Sequence, residues 1–575
     1  MKQRIFNFRW LWVWVILVGG MPIQAAEVSQ PFFKMALKSY NQFFGDMRQI
    51  GQIASDSAFA TTVELPLQIY FGADLLESLD KDAPLGFSLQ KVDEEYQPLF
   101  AFPLDDATIL SDFIAAKNPE ADVAEQENGV IVVTWGLGDL FLKTVGDWTY
   151  VALNEAVFQN IPEKNEDFFV GLEGTISWQF DMRLLPQEVK ETILQAFSQG
   201  ADLAENTELP ESLWEAQKKQ IEVAKKSFQM IFDSYTLCTL DMGMNEATKS
   251  LELECEVQVA PGCSFDKIVQ KGRTIPARFT GFANTEWVLS GYGVTILDEE
   301  MRELQKENME STFSVIREAF RLAPDTGVAE FFTQNEALFS QILEILKPLE
   351  SLCDQEEIQT GFGIRFEPKN TNAVLAFSAK DPALVETVFQ KLVALAKEKA
   401  GDKFKEEWVK YDVQTLQEIR FHQLKLTLDD ILAWIPEEDA PTEEELAAFQ
   451  EVAGDSWEFV LGMGKDSVYL AIGNQPIPLI EQTLTPAEKA YPAYISVSLY
   501  QIFDYYAHTL PKDGANSKTT SLLQIMKEIL AGCEANQCVI STEYTENGVR
   551  SQVILQEGVT RLIGSLRSIA TIMAM

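Results

Sequence analysis

Histidine and cysteine, the side chains best suited to proton transfer and nucleophilic attack near neutral pH, are scarce in this chain. Its 575 residues hold two histidines and six cysteines. His422 sits in FHQLKL and His508 in DYYAHTL, and neither stands beside a Gly-x-Ser-x-Gly or His-Glu-x-x-His motif. A serine or cysteine nucleophile needs an imidazole oriented against it, so both histidines are expected to be structural. The cysteines, at 238, 255, 263, 353, 533 and 538, include no Cys-x-x-Cys, the close-spaced pairing that zinc sites use. Asp325-Thr326-Gly327 matches the tripeptide of aspartic proteases, whose chemistry needs two facing carboxylates sharing one proton. It occurs once and follows Ala323-Pro324 rather than an apolar strand, so it reads as a turn opening the helix in VAEFFTQNEALFSQILEIL. GMGKDS, 462–467, fails as a phosphate loop because Phe459 replaces the first glycine and Asp466 the metal-binding hydroxyl. The run DDILAWIPEEDAPTEEEL, 429–446, carries eight acids and no base but lacks the spacing of a calcium loop. Thr442 and Glu445 form a capping box there, and the stretch reads as a solvated insertion, with weak cation binding as the sharper alternative. The sequence assigns no catalytic, cofactor-binding or metal-ligating residue.

Two cysteine pairs are candidate disulfides. Cys238 and Cys255 flank the turn NEAT in an expected hairpin, LCTLDMGMNEATKSLELECEVQV. Cys533 and Cys538 flank a helix-to-strand turn. Bridging needs Cα atoms within ~7 Å; buried free thiols are the alternative for both pairs.

The elements that carry these residues recur. DWTYVAL at 147–153 is echoed by DSVYLAI at 466–472, and the strand patterns GTISWQFD and AYISVSLY follow, placing Ile176 and Ile495 at the same spacing of 319. Upstream, LFAFPLDDATILSDFI and VLAFSAKDPALVETVF pair Ala101-Phe102 with Ala376-Phe377, and GFSLQ at 86 pairs with GFGIRF at 361. Each is a strand of period two, then an aspartate able to cap a helix (Asp105 or Asp106; Asp381), then an amphipathic run. Each half closes on a long helix and a hairpin, with Asn547-Gly548 a strong turn signal. The expected fold is α+β: two tandem related modules, 27–270 and 277–575, each a mostly antiparallel sheet with packed helices. The second should hold an acidic insertion at about 400–460, and KGRTIPARF around Pro276 is the expected junction. The Tyr shared by the echoes is read as a sheet position, and a paired site around Tyr150 and Tyr469 is the sharper alternative.

The N-terminus sets the compartment. Lys2, Arg4 and Arg9 precede the apolar core Trp10–Val18, then Gly19, Gly20, Pro22 and the small pair Ala25-Ala26. That order is a signal peptide, 1–26, and no later run reaches the ~18 apolar residues of a spanning helix. Removing three of 46 basic residues and none of 87 acids leaves 43 against 87, a charge of −44. Such a surface repels nucleic acid. With 46% hydrophobic and 11% aromatic residues, the chain can nevertheless build large cores.

Gly-Phe-Ser-Leu at 86, PLFAFPLDD, VGDWTYVAL and APGCSFD resemble a family of uncharacterised exported bacterial proteins of planctomycete type. The resemblance implies an exported protein of duplicated α+β modules and supplies no chemistry. The expectation is an acidic, non-enzymatic protein of the bacterial envelope, periplasmic or extracellular. It would bind an envelope protein or a ligand, without nucleic acid, cofactor or stable membrane insertion. The alternatives are a carboxylate-based hydrolase with a cleft between the modules and a carrier of a hydrophobic ligand.

Overall fold

A computed structural model describes residues 28–136, 138–195, 211–283, 287–308, 311, 336–367, 370–433, 442, 446, 450, 454–509 and 517–574. The signal-peptide reading, the Asp325-Thr326-Gly327 turn and Glu445 of the expected capping box lie outside the described residues. The fold is α+β, with antiparallel sheet and packed helices. The chain divides into two compact units. Of the described residues, the first holds those within 28–187, 235–258 and 554–574, and the second those within 188–234 and 259–553.

The described strands of the first unit are β1 (Phe33–Leu37), β2 (Leu85–Val92), β3 (Glu95–Phe102), β4 (Asp122–Glu125), β5 (Val130–Trp135), β6 (Gly138–Val145), β7 (Trp148–Ala152), β8 (Ile176–Asp181), β9 (Tyr235–Asn245) and β10 (Ser250–Val259). They pair in the order 4-5-6-7-3-2-1-8-9-10. The second unit contains β11 (Leu289–Ile296), β12 (Glu357–Glu367), β13 (Asn370–Ser378), β14 (Val409–Leu416), β15 (Ile419–Thr427), β16 (Ser456–Met463), β17 (Ser467–Gly473), β18 (Ala493–Ser498), β19 (Gln537–Tyr544) and β20 (Gly548–Leu555). Their order is 14-15-16-17-13-12-11-18-19-20.

The residue rows run in parallel too. One row crosses the first sheet through Tyr150, Ala101, Gly86, Ala36, Ser177 and Asp241. In the second sheet the row through Tyr469 runs Ala376, Gly361, Tyr292, Tyr494 and Ser541. Cys238 and Cys538 each stand three residues before the last member. One spacing differs from the sequence expectation: these rows set Ile176 level with Ala493, two residues from Ile495, because β18 is displaced along its neighbour by one side-chain repeat. A slip of two leaves the same side chains facing the core, so the hydrophobic pattern does not register it.

Local chemistry explains the helix starts. Asp106 accepts the Thr108 N–H at 2.8 Å and caps the helix Ala107–Lys117. Pro382 opens Pro382–Ala400, where a missing N–H costs nothing. Thr427 and Asp430 exchange side-chain and backbone hydrogen bonds around the start of Leu428–Leu432, a reciprocal capping box.

Close packing fixes the glycines of the rows. A Cβ on Gly86 would collide with the Phe168 ring, and one on Gly361 would lie 2.5 Å from the Phe282 ring. The core of the second unit gathers Phe282, Trp287, Phe421, Val460, Tyr469 and Ile480 in one buried cluster. In the first unit Leu99, Ala101, Tyr150, Val157 and Phe168 form the matching layer.

Candidate functional site

Tyr150 leads from the repeated strand to the main cleft. The β7 backbone buries its ring in the core, and its hydroxyl donates to Asn165 Oδ1 at 2.9 Å. Burial, with a smaller contribution from the Glu166 charge, pushes its pKa up to about 12, so it remains a donor. Asn165 Nδ2 in turn donates to Val145 O at 2.7 Å, tying the 3-10 turn Asn165–Phe169 to the sheet. That turn lays Phe168 across Gly86.

Phe168 is the floor of a cleft of about 670 Å³. The 30–34 segment, residues 159–168 and the end of β8 with its following turn form its walls. Lys34 points in from β1, between Ser88 of β2 and Gln179 of β8. Its Nζ donates to Phe168 O at 3.4 Å and lies 5.7 Å from the Phe168 ring centroid. Among the described residues, no carboxylate lies within ion-pair distance of it, and burial pushes its pKa below the ordinary lysine value. Asp181, at the rim, is held by both Arg183 Nε at 2.9 Å and Nη2 at 2.6 Å. Asn160 Nδ2 reaches Ser29 O at 2.6 Å and Gln90 Oε1 at 3.1 Å, which fixes the opposite wall. Phe32, Ile161, Pro162 and Leu184 supply apolar surface. The cleft thus combines hydrogen-bonded walls, apolar patches and, in Lys34, a cation whose hydrogen-bonding capacity is only partly used. Sequence reading missed it. The available signal was a lysine inside the apolar strand FKMAL, and nothing local shows which loops close over it.

No histidine is among the described residues lining this cleft. His422, 1% exposed on β15, accepts the Asp412 N–H at Nδ1 (3.1 Å) and faces Glu386 Oε1 from Nε2 at 3.1 Å. With an N–H aimed at Nδ1, the ring proton belongs on Nε2. Arg420 closes the cluster, donating to Asp412 at 2.8 Å and Glu386 at 3.0 Å. Both ring nitrogens are therefore committed to holding the helix Pro382–Ala400 and the β14–β15 hairpin together. His508 lies on the helix Leu499–Thr509. GMGKDS is the turn of the β16–β17 hairpin, with Gly464 N–H on Ser467 O at 2.9 Å.

Among the cysteines, Cys238 on β9 and Cys255 on β10 are free thiols that interact with each other. Cys533 follows the helix Ser517–Ala531, with Sγ 3.9 Å from Ile529 O. Cys538 stands on β19 opposite Val497, and burial pushes its thiol up. Cys263 caps the helix Ser264–Gly272 by accepting the Asp266 N–H, and Cys353 lies on the 3-10 turn Lys347–Asp354. Among the described residues no three of His, Cys, Asp or Glu gather as metal ligands, and no helix is long and apolar enough to cross a membrane.

In comparisons with known proteins, the chain matches no family model, no curated protein and no solved structure.

Proposed function

We propose that this is an exported, acidic envelope protein built from two copies of one module, with ten described strands in each, and that it acts by binding rather than catalysis. Its first unit takes a small, partly apolar molecule with an acidic group. Lys34 carries this reading: it is a half-buried ammonium without a carboxylate partner among the described residues, facing a cleft of about 670 Å³. Burying a charge costs several kcal/mol unless it is paired, and an incoming carboxylate would supply the pair. The apolar wall of Phe32, Ile161 and Leu184 suits the rest of such a molecule. The surrounding surface, at a net charge of −44 once residues 1–26 are removed, repels anions in general, so selectivity must come from contacts inside the cleft. The duplication is supported by the two strand orders, in which each second-unit label is the first-unit label plus ten, and by the matching rows. Export is supported by the N-terminal sequence.

The test is a panel of small carboxylates and their methyl esters, measured by calorimetry and ligand-observed NMR against wild type and Lys34→Met. A charge-assisted hydrogen bond contributes about 1.5–3 kcal/mol, roughly ten- to a hundredfold in affinity. The acids are expected to bind that much more tightly than their esters, and the difference to vanish in Lys34→Met. If no acid binds, or if the variant binds acids as wild type does, the reading is wrong.

A further inference from the structure

The β9–β10 hairpin holds a second reactive arrangement, separate from the cleft. Cys238 and Cys255 occupy neighbouring strands joined by a four-residue turn, 246–249. Counted from that turn, Cys238 stands one side-chain repeat from the residue opposite Cys255, so the two side chains share one face of the hairpin as diagonal neighbours. The two thiols interact with each other and both residues are half-buried, so solvent and small reagents can reach them. The fold does not require them. Cys538 occupies the place of Cys238 in the second unit, yet its hairpin partner β20, GVRSQVIL, contains no cysteine.

We propose that Cys238 and Cys255 form a reversible dithiol–disulfide centre whose co-reactant is a low-molecular-weight disulfide. The two sulfurs are inequivalent. Cys238 keeps its proton, pushed above the ordinary thiol range by the neighbouring Cys255 thiol and by burial. The Cys238 thiol beside it lowers the pKa of Cys255 to about 7 against the opposing effect of burial. Cys255 is thus the attacking thiolate. It displaces one thiolate from the co-reactant R–S–S–R and forms the mixed disulfide Cys255–S–S–R. Cys238 then loses its proton and attacks the Cys255 sulfur, and the second R–S⁻ leaves. The two protein thiols give up two electrons, the co-reactant disulfide takes them, and the two protons end on the two released thiols.

The full-length protein, reduced and freed of reductant, is incubated with oxidised glutathione, alkylated and digested with trypsin. Peptide 227–249, with Cys238, and peptide 250–267, with Cys255 and Cys263, are expected to be linked; fragmentation should place the bond on Cys238 and Cys255 with Cys263 alkylated, and reductant should restore both thiols. Recovery of both cysteines as alkylated thiols overturns the proposal. In Cys238→Ser, glutathione should be trapped on Cys255. Cys255→Ser should take up glutathione at Cys238 at least tenfold more slowly, and equal rates reject the assigned roles. The wild-type peptide map decides the question even where a variant fails to fold.

Discussion

Gly361→Ala should destabilise the second unit far more than its single added methyl suggests. The new Cβ would lie 2.5 and 2.6 Å from two carbons of the Phe282 ring and 2.8 Å from Phe279 Cβ. Carbon atoms pack at ~3.5–4.0 Å, so the ring would have to retreat by about 1 Å. It has nowhere to go. Phe282 is fully buried, held in the 3-10 turn Thr280–Phe282 and packed against Trp287 with centroids 6.3 Å apart. Overpacking of this kind costs about 1–3 kcal/mol, and three simultaneous clashes against immobile groups put the expected loss near ~3 kcal/mol. Gly45→Ala is the control. It lies within the helix Tyr40–Ile53, and nothing stands within 4 Å of the point its new methyl would occupy, so the helix should gain about 0.5–1 kcal/mol. Because a protein of two compact units need not unfold in one step, the assay is hydrogen exchange in rising urea, read on the 357–378 strands and on helix 40–53. Gly361→Ala should cut protection in the strands, and Gly45→Ala should raise it in the helix. Wild-type protection of the strands in Gly361→Ala would refute the packing argument.

Asp430 should make the Leu428–Leu432 turn acid-labile. Burial alone would raise its pKa, but hydrogen bonds from Lys405 and from the hydroxyl and N–H of Thr427 outweigh that and hold it at about 2. A depressed carboxyl contributes stability above its unfolded value, near 3.8, and loses it as pH falls through 2. Asp430→Asn should therefore cost about 0.5–2 kcal/mol at neutral pH, with the gap to wild type closing below pH 3 in denaturant titrations. Tyr150→Phe removes the donor to Asn165 Oδ1 and should cost about 1 kcal/mol. It should also weaken acid binding in the cleft through looser placement of Phe168, measurable as a higher Kd in the same calorimetry as for Lys34→Met.

Local features were legible in the sequence because their causes are local. The period-two runs around Tyr150, Gly86, Tyr469 and Gly361 are strands because alternation is what a half-buried sheet needs. Asp106 and Pro382 mark helix starts because a cap acts within one turn. GMGKDS is a hairpin turn because a Gly–Ser backbone bond suffices to close it. Cys238 and Cys255 were placed on facing strands by the symmetry of their positions about one turn. Tertiary structure decided the rest. The two-residue slip of β18 keeps every side chain on its proper face and so leaves no trace in the pattern. The commitment of both His422 nitrogens depends on Glu386, which is 36 residues away, and on the unusual positive φ of Asp412, 51°. The Lys34 cleft needs segments near 30, 160 and 180, and Phe168 reaches its floor only because Gly86 and Tyr150, both far away in sequence, leave space for it and tether its turn. A cleft is a property of surfaces that the chain brings together over long separations, and hydrophobic periodicity specifies which face of each strand is buried but not which distant loop covers it.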